Sequence, residues 1–144
     1  MKKIFFAFTL FFGTSLIVSA QSIAKKEVPP AVMRSYLAQN SRGALDSMWT
    51  RTTVTIYKVH FMDDGKRYEA QYFEDGSWIK TFTEIAQSDL LPGIITQVNQ
   101  TYPSFKIERA AIELNNDGKF YAIDLIKGND KLTIYFLMSG KFVK

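Results

Sequence analysis

The sequence predicts an α+β fold: two tandem repeats, each a helix followed by antiparallel β-strands, with the helices packed on one face of the sheet. Three observations predict it. The chain matches itself without a gap at an offset of 64 residues, Tyr57 onto Tyr121. A proline opens an amphipathic stretch ahead of each copy. Alternating aromatic segments are punctuated by Asp-Gly and related turns.

The first twenty residues read as an address. Met1-Lys2-Lys3 is a short basic start and Ile4–Val18 an apolar run, with Val18 and Ala20 at −3 and −1 of a cut before Gln21. That run falls short of the roughly twenty residues a membrane span needs. Residues 1–20 are therefore expected to be a cleaved signal peptide, leaving no membrane span, and the expected location is periplasmic or secreted. Removing twenty residues from 144 leaves 124. Taking Lys2 and Lys3 from eighteen Lys and Arg, against fourteen Asp and Glu, leaves a net charge of +2. No basic cluster remains beyond Lys25-Lys26, which argues against a nucleic-acid partner.

Residues 21–144 are expected to form one domain, with units at about 28–87 and 88–144. The first helix is expected from Pro30 to Asn40, with Val32, Met33, Tyr36 and Leu37 on its apolar side. The second runs to about Thr101, with Ser88 or Asp89 as cap and Ile94, Ile95 and Val98 as its stripe. In the first unit strands are expected at 46–51, 54–62, 67–73 and 77–84. In the second they are expected at 105–114, 119–126, 131–137 and 141–143. Turns fall at Asp64-Gly65, Asp75-Gly76, Asp117-Gly118, Gly128-Asn129 and Ser139-Gly140. Tyr57, Val59 and Phe61 alternate onto one face, as do Tyr121, Ile123 and Leu125. Tyr72, Ile134 and Phe136 join that apolar face. The opposite face is expected to be mixed and open to water.

The layout resembles the PepSY-like family of secreted bacterial proteins, also called β-lactamase-inhibitor-like. The residues that carry the resemblance are Val28-Pro29-Pro30-Ala31-Val32 at the first helix, Trp49 on the strand after it, the Asp-Gly turns, Leu91-Pro92 at the second helix, and Tyr102-Pro103 at its end. Gln39-Asn40-Ser41 stands where a Tyr-Pro is usual, and the second unit has no partner for Trp49. The resemblance implies export, tandem helix-plus-sheet units, no enzymatic activity, and contact with a protein through the open sheet face.

The residue inventory excludes more than it includes. With no Cys and one His, His60, thiolate metal sites, disulfides and His-centred catalysis have no material. No nucleophile elbow, phosphate loop or zinc helix motif occurs. Asp63-Asp64 and Glu74-Asp75 are read as turn acids. Glu113, Asn115, Asp117, Gly118 and Asp124 stand at calcium-loop spacing, but strand-like flanks favour a hairpin. No catalytic, cofactor or metal residues are assigned. The leading expectation is a non-enzymatic secreted or periplasmic binding module of protein-binding or enzyme-inhibitor-like type, whose partner is another protein. Its face would comprise Lys58, His60, Glu69, Gln71 and Phe73 in the first unit, and Ala122, Asp124, Thr133, Tyr135 and Leu137 in the second. The alternative is an envelope protein that binds a small molecule or a calcium ion through its acidic turns.

Overall fold

A computed structural model describes residues 20–41, 47–52 and 55–144. The expected signal peptide, and the strand positions Asp46 and Val54, lie outside the described residues. Eight antiparallel strands form one sheet in sequential order: β1 (Gln21–Ile23), β2 (Met48–Arg51), β3 (Ile56–Asp63), β4 (Lys66–Phe73), β5 (Trp78–Ile85), β6 (Lys106–Asn115), β7 (Gly118–Lys127) and β8 (Asp130–Leu137). Two ten-residue helices complete it, α1 (Pro30–Gln39) and α2 (Pro92–Thr101).

This architecture corrects the expected fold class. The molecule is a mostly β, single eight-stranded sheet, and not two tandem helix-then-strand repeats. The finding that overturns the repeat reading is the β5–β6 pairing, from Lys80 opposite Asn115 to Ile85 opposite Ala110. That ladder runs across the boundary expected near residue 87, so hydrogen bonding never closes within either half. Local self-similarity cannot report such a pairing, because it joins strands about thirty residues apart in the chain.

Each helix starts where its proline allows. Pro30 and Pro92 occupy the first turn, whose N–H has no helical acceptor in any case. The cap of α2 is Leu91, with Gln87–Asp89 forming a separate 3-10 turn, so neither Ser88 nor Asp89 caps it. The three-residue β1 was not expected, and residues 141–143 form no full strand but tie back to β8 through a bridge, Phe142 to Phe136, and backbone hydrogen bonds from Leu137 to Lys141 and from Val143 to Tyr135.

Both helices cover the same face. Opposed residues share a face, and the row Tyr68, Thr83, Ile112, Tyr121, Phe136 crosses from β4 to β8. On the β1–β4 side, Val32 and Tyr36 of α1 pack on Trp49, Tyr57, Val59, Phe61, Ala70 and Tyr72. Tyr36 meets Trp49 and Phe61 edge-on, at ring-centre separations of 5.2 and 5.4 Å. On the β6–β8 side, Ile94 and Val98 of α2 pack on Tyr121, Ile123, Leu125, Ile134 and Phe136. One expected core residue is misplaced: Leu37 is 40% exposed, because it stands one position past Tyr36 and is rotated off the buried stripe.

Candidate functional site

The face away from the helices has no element laid across it among the described residues. It is defined by the alternate positions of the same strands. Lys58 and His60 stand opposite Gln71 and Glu69. Gln71 and Glu69 in turn face Lys80 and Phe82. Asn115, Glu113 and Ala111 follow on β6, then Phe120, Ala122 and Asp124 on β7. Leu137, Tyr135 and Thr133 close it on β8. All eight residues proposed from the sequence for the partner face, Lys58, His60, Glu69, Gln71, Phe73, Asp124, Thr133 and Tyr135, map to strands of this face.

The face is less open than the alternation implied. Gln71 and Ala122 are buried, as are Phe82 and Ala111, which the sequence reading did not single out, and Glu113, which it placed only in the calcium-loop spacing. Phe82, Ala111 and Ala122 form a small apolar cluster with Tyr135 packed on it. Two cations close over Phe82: the Lys80 ammonium at 4.8 Å and the Arg109 guanidinium at 5.2 Å from the ring centre. Each cation is itself paired. Lys80 lies 3.3 Å from Glu113, and Arg109 Nε donates to Asp124 at 2.7 Å. Thr133 donates to the other Asp124 oxygen at 2.7 Å, and Asn115 donates to Glu113 at 2.8 Å. The result is a satisfied network around one aromatic ring, whose members fix each other's rotamers.

A second cluster lies on β3 and β4. Gln71 donates to Glu69 at 2.7 Å, with Lys58 at 3.4 Å and His60 at 3.9 Å from the same carboxylate. Burial pushes the Glu69 carboxyl up, but the Gln71 amide and the neighbouring charges outweigh it. The group ends below the ordinary carboxylate value of 4.5. Tyr135 is raised, first by burial and then by the Glu113 carboxylate beside it. Beyond Glu69, toward the β3–β4 turn, a groove of about 380 Å³ opens between Met48, Met62 and Phe82.

The carboxylates at calcium-loop spacing are placed by a hairpin. Asn116 and Asp117 turn between β6 and β7. Glu113 is directed to Lys80, and Asp124 to Arg109. Among the described residues no three His, Asp or Glu side chains converge as a metal group, and no helix is long and apolar enough to cross a membrane. Phe73 is 45% exposed, and Trp49 belongs to the core. Phe82 escaped notice because Lys80 and Glu84 flank it on its side of Trp78–Ile85, while Ile79, Thr81, Thr83 and Ile85 make the opposite side read as the apolar one.

The same fold is found in solved structures from Bacteroides. A DUF2874-family protein of Bacteroides ovatus is 16% identical with a TM-score of 0.65, over 81% of this chain and 85% of that one. A protein of Bacteroides eggerthii assigned to the periplasm is 15% identical with a TM-score of 0.66, over 81% and 86%. A BLIP-like protein of Bacteroides fragilis is 18% identical with a TM-score of 0.62, over 79% and 82%. Neither a family model nor a curated protein matches the sequence. The class defined here is thus a BLIP-like fold: a helix-backed antiparallel sheet with one face uncovered. At such identities the likeness is one of fold: it supports the β-lactamase-inhibitor-like part of the resemblance as a fold, and it does not show a PepSY-like family.

Proposed function

We propose that this chain is an exported, non-catalytic module that binds another protein through the uncovered sheet face. The observation that carries the reading is the Phe82 network. An aromatic ring and its flanking Lys80 and Arg109 are held by Glu113 and Asp124 before any partner arrives. Pre-positioned groups lose little freedom on binding, so more of the contact energy appears as affinity. Phe82 itself is buried, so contact falls to the half-buried groups around it, and Arg109 and Tyr135 are of the types enriched where interface energy concentrates. The signal-like start and the similar folds of a periplasm-assigned and a BLIP-like protein support the reading.

The absence of cysteine makes a clean test. A single Cys is introduced as Phe73→Cys on the uncovered face or Leu37→Cys on the helix side, and each is labelled with a photo-crosslinker. Irradiation in envelope extract is expected to yield a discrete protein adduct from position 73 and none from position 37. The affinity of the captured protein is then measured against Phe73→Ser and Tyr135→Ser, expected to lose about tenfold or more. Adducts from the helix side alone, or unchanged affinity with both replaced, would remove this face as the site.

A further inference from the structure

Two thioethers and the one imidazole of the chain stand together on the uncovered face. Met48 of β2 lies directly opposite His60 of β3. Met62 follows His60 by two positions on the same strand, so it projects from the same face. All three line the 380 Å³ groove. Directly opposed residues have Cβ atoms about 5 Å apart, and diagonal neighbours about 7–8 Å. Alternate residues of one strand are about 6–7 Å apart. A Met sulfur lies two bonds beyond its Cβ on an unbranched, adaptable chain, so both sulfurs and a ring nitrogen can reach one ion. Core packing does not account for the two methionines, since Met48 is 69% exposed and Met62 50%.

We propose that Met48, His60 and Met62 form a binding site for a soft monovalent metal ion, Cu(I). Thioether sulfur is a soft donor and imidazole an intermediate one, and together they favour Cu(I) over harder ions. Among the described residues no three His, Asp or Glu side chains converge as a metal group, so zinc or calcium finds no nitrogen and oxygen set in the groove. The charges point the same way. Glu69 and Glu84 line the groove with Arg67, and Lys58 stands 3.4 Å from Glu69. The carboxylates are thus largely offset, which suits one added positive charge better than two. Glu69 also orients the ring. Its Oε2 lies 3.9 Å from His60 Nδ1, while Oε1 accepts from Gln71 and faces Lys58. A carboxylate beside Nδ1 leaves Nε2 for the metal, the arrangement usual for metal-binding histidines. The proposal does not rest on the protein-binding function proposed above.

Anaerobic titration of the purified chain tests it, with Cu(I) supplied as its coloured bicinchoninate complex. One equivalent of Cu(I) is expected to pass to the protein as the colour fades. Losing even a group that only supports a ligand costs metal sites about 10–100-fold, so Met48→Leu, Met62→Leu and His60→Gln are each expected to weaken binding at least about tenfold. Met138→Leu is the control, because Met138 is also exposed but lies beyond β8, away from the groove. It is expected to leave the affinity unchanged. None of the four side chains is buried, so melting of the metal-free variants is expected to match wild type. In NMR spectra of methyl-labelled methionine, the Met48 and Met62 signals are expected to move with Cu(I), and those of Met33 and Met138 to stay. No transfer from bicinchoninate overturns the proposal. Binding that the groove variants leave unchanged, or that Met138→Leu weakens as much as they do, is adventitious coordination and also overturns it. Displacement of Cu(I) by an equal amount of Zn(II) does the same. Each of these failures would leave crosslinking from position 73 unaffected, so the two readings stand or fall separately.

Discussion

Tyr36, Phe61 and Phe136 are buried by side chains from several elements, whereas Leu37 is 40% exposed beside them. Removing a buried ring leaves a cavity that a sheet-backed core cannot close. Phe61→Ala and Phe136→Ala are therefore each expected to cost about 3–5 kcal/mol. Leu37→Ala is expected to cost about 1 kcal/mol or less, with urea denaturation as the measurement for all three. Glu69 gives a pH signature. Its folded pKa lies below the unfolded 4.5, so its contribution is complete above 4.5 and is lost as pH falls through the folded value. Urea midpoints between pH 7 and pH 3 are expected to drop less steeply in Glu69→Gln than in wild type, from a lower start. Tyr72 acts at the other end. Burial, then the nearby Tyr36, pushes it up to about 12, so stability falls as pH rises from 10 toward 12.

At the scale of the element, turns and helix starts were legible because their chemistry is local. Pro30 and Pro92 announce their helices, and the predicted turn glycines adopt positive φ. Gly76 shows why one of them tolerates nothing else. Its φ is +89°, and a Cβ there would stand 2.7 Å from the Ala31 carbonyl oxygen, at the start of α1. The β4–β5 turn is thus the bed on which α1 rests. Gly65 has φ +71° but open space around it. Gly65→Ala is expected to cost about 1–2 kcal/mol, the strain of the left-handed backbone alone. Gly76→Ala is expected to cost clearly more, because the helix must also move. Equal losses in a thermal or urea comparison would mean that α1 does not depend on that turn. The face assignment of β3 was legible for the same local reason, because its side chains alternate cleanly, whereas Phe120, Ala122 and Ile126 put apolar residues on both faces of β7. The candidate site was half legible. Lys58, Glu69 and Asp124 followed from alternation, but Phe82, Glu113 and Arg109 did not. Their significance arises only when β5 pairs with β6, which brings Lys80 to Glu113 across the seam.

That seam decides the behaviour of the whole molecule. Two closed repeats would each keep a core and could melt separately. Here β5 is hydrogen-bonded to β4 on one side and to β6 on the other, so the sheet has no internal edge at which to part. The uncovered-face cluster adds to the coupling, because Phe82 of β5 packs on Ala111 of β6 and Ala122 of β7. Exposing β5 or β6 as a new edge would leave a row of backbone donors and acceptors unpaired. A single cooperative transition is therefore expected. The positions of the two tryptophans make this testable without labels. Trp49 on β2 and Trp78 on β5 both lie before α2, so fluorescence reports the β1–β5 side alone. Far-UV circular dichroism reports all eight strands. In urea the two signals are expected to share one midpoint and one slope. A fluorescence transition displaced from the dichroism transition would show that the β1–β5 and β6–β8 sides unfold independently, and that the β5–β6 ladder contributes little to holding them together.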